Sequence, residues 1–250
     1  MSSPNALPPN LVEALRAARR VAVLTGAGTS AESGVPTFRD AQTGLWARYD
    51  PQELATPEAF HRRPRLVWEW YAWRRELVGR AAPNPGHLAL AGMERRVPHF
   101  TLITQNVDSL HQRAGSRAVI ELHGNLARVK CSREGRVVET WAETDAPPPL
   151  CPHCGGLLRP DVVWFGEALP IDALARAFAA ARAAEVFLTV GTSGLVQPAA
   201  SLPLEALDAG AVVVEINPDE TPLSRWMTHT LRGPSGRILP ALVSAVWGEE

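Results

Sequence analysis

Residues 21–40 read VAVLTGAGTSAESGVPTFRD, a short apolar run that ends in closely spaced glycines and polar residues. Such a run predicts a buried strand that enters a tight turn before a helix. Glycines at this place let the backbone approach a pyrophosphate, whose charge the N–H groups at a helix start can meet. The spacing departs from GxGxxG, because Gly34 follows Gly28 by six residues. A tight strand–helix turn that binds no ligand is the structural alternative.

Apolar runs of the same kind recur along the chain and alternate with stretches of helical periodicity. The predicted strands lie in residues 99–108, 118–125, 185–194 and 211–218, and the predicted helices in residues 11–20, 87–96, 171–184 and 199–209. This alternation predicts an α/β fold with a Rossmann-like parallel sheet and helices on both faces. Polar residues follow the strands, at the edge where such sheets bind ligands.

Two segments interrupt the alternation and are interpreted as insertions. Residues 36–84 are rich in Trp, Arg and Pro and predict helices around 57–79, whereas residues 125–159 hold all three cysteines and predict short strands and turns. We therefore expect one domain over residues 1–250. Its large part would span about 1–35, 85–124 and 160–250, and the two insertions would form a small lobe.

The composition excludes several classes of protein. The chain has 250 residues, is 46% hydrophobic and carries a formal net charge of −1, so we expect no nucleic-acid partner. The sequence has no run of ~18 apolar residues and begins without a basic or apolar signal region, so we expect neither a membrane span nor a signal peptide. An odd number of cysteines favours metal or redox chemistry in a reducing compartment over disulfides. We expect a cytoplasmic protein and a monomer.

Two further polar motifs follow predicted strands. Gln105-Asn106-Val107-Asp108 ends the second strand, and His123-Gly124 ends the third. On its own, the first is typical of an Asx-turn that caps a helix. An isolated His-Gly is usually structural, so both motifs gain a functional meaning only from their order after the glycine-rich turn.

Thr25–Asp40, Gln105–Asp108 and His123-Gly124 occur in the order and spacing of the sirtuin family, which the chain resembles over about residues 12–245. The resemblance implies an NAD⁺-dependent protein-lysine deacylase that consumes NAD⁺ and acts on acylated lysine side chains of proteins. It implies that His123 is the general base, because a neutral imidazole can take a proton from a ribose hydroxyl near neutral pH. Asn106 would hold the ribose and a water.

The resemblance also implies the contacts of NAD⁺. Asp108 would bind the nicotinamide carboxamide, and Phe38 would shield the reactive anomeric carbon from water. The implied cofactor-binding residues are Gly26, Ala27, Gly28, Ser30, Phe38, Arg39, Trp46, Gln105, Asn106, Asp108, Gly191, Thr192, Ser193, Asn217, Pro218 and Ser235.

The cysteines resemble a structural zinc module of the same family, in which two CxxC pairs hold a tetrahedral Zn²⁺ in a zinc-ribbon-like lobe. Here Cys151 and Cys154 form the second pair, and Cys131 begins the first, with Glu134 in the place of its other cysteine. The implied ligands are therefore the three cysteines, completed by Glu134, His153 or water. A module that folds without metal stays open.

Tyr71 and Arg74 lie in WEWYAWRR, residues 68–75, and share one face of a helix. A packed aromatic helix with solvated arginines is the structural alternative. The Tyr-x-x-Arg pattern resembles the branch of the family that removes succinyl and malonyl groups, whose carboxylate a guanidinium binds in bidentate fashion. The segment 162–167 resembles the one that pairs with the substrate backbone by strand addition. Its implied substrate-binding residues are Val162, Phe165, Gly166 and Glu167.

Rival functions come from other classes of protein. A Rossmann dehydrogenase would need a GxGxxG turn and an acidic residue ~20 residues later, and the turn here departs from that pattern. A mono-ADP-ribosyltransferase would share the NAD⁺ contacts and stays open on the sequence. A non-catalytic reader of NAD⁺ or acyl-lysine should have lost His123 or Asn106, and both are present.

Overall fold

The computed structural model describes residues 7–36, 50–142 and 144–248. Within these ranges the helices are α1 (Pro9–Ala17), α2 (Ala27–Ala31), α3 (Pro51–Leu54), α4 (Pro57–Arg62), α5 (Pro64–Arg80), α6 (Pro85–Arg96), α7 (Leu110–Arg113), α8 (Ile171–Ala183), α9 (Leu202–Asp208) and α10 (Ser235–Trp247). The strands are β1 (Arg20–Thr25), β2 (His99–Thr104), β3 (Val119–Glu121), β4 (Gly124–Cys131), β5 (Val137–Val138), β6 (Leu158–Val162), β7 (Val186–Val190), β8 (Val212–Asn217) and β9 (His229–Arg232). None of these helices combines the length and the apolar character that crossing a membrane requires.

The main sheet has the strand order β3-β2-β1-β7-β8-β9. All of its pairings are parallel, and Val23 of β1 lies between Leu102 of β2 and Leu188 of β7. The predicted Rossmann-like parallel sheet is therefore confirmed. The strand order reverses between β1 and β7, and this switch point is where open α/β sheets bind ligands.

The central strand β1 is buried on both faces, because its alternate side chains enter two different cores. Val21 and Val23 pack in the core that includes residues of α1, α6 and α10. Ala22 and Leu24 pack in the core that includes residues of α8 and α9. A strand that is covered on both faces is apolar at successive positions. The sequence of β1 therefore shows a continuous apolar run and no alternation of apolar and polar residues.

A second sheet of three antiparallel strands, in the order β5-β4-β6, forms the centre of the small lobe. Helix α5 packs against it through a core that contains Trp70, Tyr71, Leu126 and Trp164. Helices α4, α5 and α6 begin at prolines, which suit the first helical position because its N–H has no partner in the helix. The helices predicted around residues 57–79 are therefore present as α4 and α5.

The C-terminal elements β9 and α10 are not among the predicted ones, since the last predicted strand lies in residues 211–218. Strand β9 lies at the sheet edge beside β8, and Leu231 is its one buried residue. Its sequence, HTLR, therefore contains no apolar run. Helix α10 carries Pro240 in its interior, a residue that normally ends a helix and masks the helical pattern.

Candidate functional site

A cavity of about 570 Å³ opens at the carboxyl ends of the parallel strands, between the main sheet and the small lobe. This volume falls within the range of about 300–1,000 Å³ that is typical of small-molecule sites. The predicted site residues on its wall are Gly26, Ala27, Gly28, Tyr71, Arg74, Gln105, Asn106, His123, Val162, Phe165, Gly166, Glu167, Gly191, Thr192, Ser193 and Asn217. The fold thus brings both predicted groups, for cofactor and for substrate, to one cleft.

The glycines after β1 are required by a close contact with the loop after β7. A Cβ on Gly26 or Gly28 would lie 2.8 Å from the carbonyl oxygen of Gly191. The N–H of Gly28 donates to that oxygen at 2.8 Å, and Gly191 itself has a φ of +59°. The sequence attributed these glycines to a pyrophosphate, whereas the structure shows that they also let two loops touch at the switch point.

The side chain of Asn106 is held in a defined orientation. Its Nδ2 donates to the carbonyl oxygen of Gly26 and to Oγ of Ser30, both at 3.0 Å. Its backbone N–H donates to Oγ1 of Thr104 at 3.0 Å. Because both amide hydrogens are used, the Oδ1 acceptor is the group that Asn106 can offer to a ligand.

The ring of His123 is fixed in one tautomer by the backbone. Its Nδ1 lies 2.9 Å from the carbonyl oxygen of Gln105. Because a carbonyl only accepts, Nδ1 carries the proton and Nε2 keeps its lone pair. Burial lowers the pKa of His123, and the hydrogen bond to Gln105 offsets part of this shift. The imidazole is therefore neutral near pH 7 and able to accept a proton at Nε2.

Thr192 joins three loops at the other end of the cavity. Gln105 donates to Oγ1 of Thr192 at 3.1 Å, and Asn217 donates to its carbonyl oxygen at 3.4 Å. In the strands that precede and flank the last of these loops, the buried carboxylate of Glu215 in β8 pairs with Arg232 of β9. The loops after β2, β7 and β8 are thus tied together.

Several predicted cofactor residues do not lie on the cavity wall. Asp108 accepts from the N–H of Leu110 at 2.9 Å, which is the Asx-turn that the sequence alone suggested. Ser235 donates to Glu32 at 2.9 Å, and Pro218 is not among the lining residues. Ser30 is buried and supports Asn106 from behind. Phe38, Arg39 and Trp46 fall outside the described residues.

Tyr71, Arg74 and Trp164 form the small-lobe end of the cavity. The indole Nε1 of Trp164 donates to the hydroxyl oxygen of Tyr71 at 3.0 Å. The guanidinium carbon of Arg74 lies 5.1 Å from the centre of the Trp70 ring. Burial raises the pKa of Tyr71, and burial lowers the pKa of Arg74 while Tyr71 partly restores it. Tyr71 is both a core residue and part of the wall.

The segment 162–167 crosses the cavity beside His123. The N–H of Val163 donates to the carbonyl oxygen of His123, and that of Phe165 donates to Ala55, both at 2.9 Å. The side chain of Phe165 is 48% exposed. An extended ligand would therefore have to pair with other backbone groups of this segment.

The cysteines of the small lobe converge with one carboxylate. One ligand atom each from Cys131, Glu134, Cys151 and Cys154 lies within 4.8 Å of the other three, and His153 is not part of this group. Sulfur and oxygen ligands in a group of four suit a tetrahedral Zn²⁺. Among the candidates that the sequence left open, the geometry favours Glu134 as the fourth ligand.

Some lining residues were missed by the sequence analysis. Trp164 lies within the quoted segment 162–167 but was not singled out, and Val196 follows the motif Gly191–Ser193. Ala55 and Asp219 carry no sequence signal, because only the fold brings them to the cavity.

Comparisons with known proteins agree with this geometry. The family model described as the Sir2 family matches residues 26–198. An NAD-dependent protein deacylase of Aquifex aeolicus is 58% identical over 207 residues, which cover 82% of this chain and 86% of the relative. NAD-dependent protein deacylase 1 of Pseudomonas aeruginosa is 51% identical over 249 residues, which cover 93% of this chain and 96% of the relative.

Solved structures give the same match over nearly the whole chain. The crystal structure of a Sir2 homologue in complex with NAD has a TM-score of 0.90 at 49% identity and covers 98% of this chain and 96% of its own. A Sir2 protein bound to an acetylated peptide has a TM-score of 0.84 at 32% identity, with coverages of 96% and 98%. The likeness therefore extends to the cavity as well as to the sheet.

Proposed function

Because the chain belongs to the Sir2 family, we propose that it is an NAD⁺-dependent protein-lysine deacylase, which transfers the acyl group to ADP-ribose and releases nicotinamide. The observation that carries the proposal is the meeting of Asn106, His123 and the glycine loops in one cavity at the switch point. The names of the relatives, the NAD complex and the acetylated peptide complex support it. NAD⁺ is the cosubstrate, and acylated lysines of proteins are the substrates.

We propose that NAD⁺ lies along the carboxyl edge of the sheet. Its phosphates would meet residues 26–28, and its adenosine half would meet residues 191–193 and Asn217, all of which line the cavity. The contacts of Asp108, Pro218 and Ser235 with NAD⁺ stay predictions from the family resemblance, since these residues are not on the cavity wall. The roles of Phe38, Arg39 and Trp46 stay predictions from the family resemblance.

In the proposed reaction the amide oxygen of the acyl-lysine displaces nicotinamide from the anomeric carbon of NAD⁺. His123 then accepts the proton of a ribose hydroxyl at Nε2 while that hydroxyl attacks the carbon of the resulting amidate, and water completes the release of lysine and O-acyl-ADP-ribose. The carbonyl oxygen of Gln105 holds the tautomer that this step needs. Asn106 presents Oδ1 to the ribose and its water, because Gly26 and Ser30 occupy its amide hydrogens.

We propose that the small-lobe end of the cavity prefers acidic acyl groups. Arg74 is a cation on the cavity wall whose pKa burial lowers, and Tyr71 is a neutral phenol one helical turn away. Together they offer a carboxylate one charge-assisted and one neutral hydrogen-bond donor. Succinyl and malonyl groups carry such a carboxylate, and an acetyl group does not.

We propose that the substrate backbone pairs with the segment 162–167, with Val162, Phe165, Gly166 and Glu167 beside it. Phe165 is exposed and lies on the cavity wall. Because the N–H groups of Val163 and Phe165 are used within the chain, the pairing would depend on the segment's other backbone groups, and on its carbonyl oxygens above all.

We propose that the small lobe holds one structural Zn²⁺ through Cys131, Glu134, Cys151 and Cys154. The convergence of three sulfurs and a carboxylate oxygen within 4.8 Å supports this ligand set. Zinc would fasten β4 to the turn that carries Cys151 and Cys154, and it would take no part in the reaction.

The wider organisation stays a prediction. We propose a single catalytic domain with the large part and small lobe divided as the sequence suggests. A monomer, a cytoplasmic location and the absence of a nucleic-acid partner are likewise predictions.

The proposed function is tested with three peptides of one sequence that carry acetyl-, succinyl- or malonyl-lysine. We expect NAD⁺-dependent deacylation of each, with O-acyl-ADP-ribose identified by mass and the highest kcat/KM on the acidic acyl groups. Arg74→Ala should lower kcat/KM on the acidic acyl peptides by about 10–100-fold, the usual value of a hydrogen bond to a charged group, and change deacetylation far less.

The matched control is Arg65→Ala, since Arg65 is an exposed arginine on the same helix. Equal losses on all three peptides in Arg74→Ala would show that Arg74 is structural. Transfer of ADP-ribose to the peptide, without deacylation, would identify a mono-ADP-ribosyltransferase instead.

A further inference from the structure

Trp164 donates a hydrogen bond to Tyr71 across the lobe, and the direction of this bond is fixed by chemistry. An indole N–H is a donor only, so the hydroxyl oxygen of Tyr71 is the acceptor at 3.0 Å. A phenol has one proton of its own, which it cannot give to Trp164. The proton of Tyr71 is therefore directed to another acceptor.

The indole of Trp164 is held firmly enough to impose this direction. Trp164 is 3% exposed, and the guanidinium carbon of Arg159 lies 3.3 Å from the centre of its ring. Arg159 is itself bound to the carboxylate of Glu167 and to the carbonyl oxygen of Val162, the latter at 2.8 Å. The backbone N–H of Trp164 donates to Glu167 at 2.8 Å. Ring and backbone are thus both fixed.

Resting on the proposed acidic-acyl preference, we propose that Trp164 is a specificity-determining positioning residue, which orients the hydroxyl proton of Tyr71 toward the carboxylate of the acyl group. Tyr71, Arg74 and Trp164 lie on the same wall of the cavity. A carboxylate bound to Arg74 would be the acceptor for that proton, since it has lone pairs left after a bidentate pair. An acetyl group offers no such acceptor, so the indole N–H matters only for acidic substrates.

The first test removes the N–H and keeps an aromatic side chain. Trp164→Phe should lower kcat/KM on succinyl-lysine peptide about fivefold more than on acetyl-lysine peptide, the value of a neutral hydrogen bond, and this selective loss should appear mainly in KM. Tyr71→Phe should show the same selectivity. The double variant should be no worse than Tyr71→Phe alone, because the two residues act through one proton.

A second replacement distinguishes the loss of the N–H from a change in packing. Benzothienylalanine at position 164 keeps the shape of the indole and puts sulfur in the place of N–H, and it should reproduce the loss seen in Trp164→Phe. The matched control is Trp226→Phe, which changes an exposed tryptophan that does not line the cavity and should leave both activities unchanged.

The outcomes separate this inference from the proposed function. Equal loss on both peptides in the benzothienylalanine protein, or no loss on either, overturns the role of Trp164. If Tyr71→Phe and Arg74→Ala are selective and the position-164 variants are not, only this inference fails. If neither Tyr71→Phe nor Arg74→Ala is selective, the acidic-acyl preference fails first, and the inference fails with it.

Discussion

His123 depends on its surroundings for its chemistry. An exposed histidine titrates near pH 6.5, whereas burial lowers the pKa of His123 and the carbonyl oxygen of Gln105 holds the proton on Nδ1. The consequence is a neutral base with Nε2 available at physiological pH. A two-residue motif in the sequence cannot carry this information, because the partner lies 18 residues earlier.

We expect His123→Ala to lower kcat/KM for deacylation by about 10²–10⁴-fold, the usual contribution of a general base. In the wild-type protein kcat/KM should fall as the pH drops through the pKa of His123, which lies below 6.5, because the protonated ring no longer accepts a proton. The measurement is a pH–rate profile of both proteins with one acyl-lysine peptide.

His61→Ala provides the control, since His61 is an exposed histidine on α4. Near-full activity of His123→Ala, or a wild-type acid limb that persists in that variant's residual activity, would argue against His123 as the base.

At the scale of elements, loops matter more than strands for the site. The loops after β1 and β7 touch so closely that Gly26, Gly28 and Gly191 leave no room for a Cβ. In the small lobe, β4 ends at Cys131 and the turn that follows brings Glu134 back toward Cys151 and Cys154. Both sites arise where turns from distant parts of the chain meet.

Protein purified without added zinc should contain about one Zn²⁺ per chain if the cysteine cluster is a structural site. Glu134→Ala should weaken zinc binding in competition with a chromophoric chelator, and Glu134→Cys should strengthen it, because a fourth thiolate replaces a carboxylate. Cobalt substitution gives a second readout, since the thiolate-to-cobalt absorption should increase in Glu134→Cys.

Glu139→Ala serves as the matched control, because Glu139 is exposed in the same lobe and does not belong to the cluster. Zinc-free protein whose melting temperature is unaffected by added zinc or chelator would indicate a module that folds without metal. Equal zinc affinity in Glu134→Ala and the wild-type protein would point to water as the fourth ligand.

At the scale of the whole molecule, two buried histidines pack against each other beside the end of β1. The rings of His87 and His111 are 4.8 Å apart, and Nε2 of His111 lies 2.9 Å from Oγ1 of Thr25. Burial lowers the pKa of His111 to about 3, with a smaller contribution from His87. Burial also lowers the pKa of His87. The fold therefore needs His111 in its neutral form.

This requirement predicts loss of stability in acid. Unfolded histidine titrates near 6.5, so below that pH the unfolded chain binds a proton that the folded chain does not bind until about pH 3. The contribution of neutral His111 to the free energy of unfolding should therefore be complete above about pH 6.5 and should decrease as the pH falls. His111→Gln should reduce this slope by up to about 1.4 kcal/mol per pH unit, measured by urea unfolding between about pH 7 and 4.

His99→Gln replaces an exposed histidine and should leave the slope unchanged. If His111→Gln follows the pH dependence of the wild-type protein, other groups must cause the acid destabilisation.

The sequence by itself determined the sheet, its helices on both faces and most residues of the cavity wall. This is possible because strands buried on both faces must be apolar throughout, and because polar residues at their carboxyl ends meet at one edge. The short edge strand β9 and the proline-containing helix α10 were not predicted. The hydrophobic pattern is weak in an edge strand with exposed residues, and an internal proline argues against a helix.

The tertiary structure alone decided how the side chains act on one another. It brings Trp164 into hydrogen-bond contact with Tyr71, 93 residues earlier in the chain. It also places Glu134, and not His153, beside the three cysteines. It also buries Asp108 and Ser235, whose contacts with the cofactor stay predictions. The physical reason is that hydrogen-bond direction, burial and metal geometry depend on distances between segments, and a linear pattern does not contain those distances.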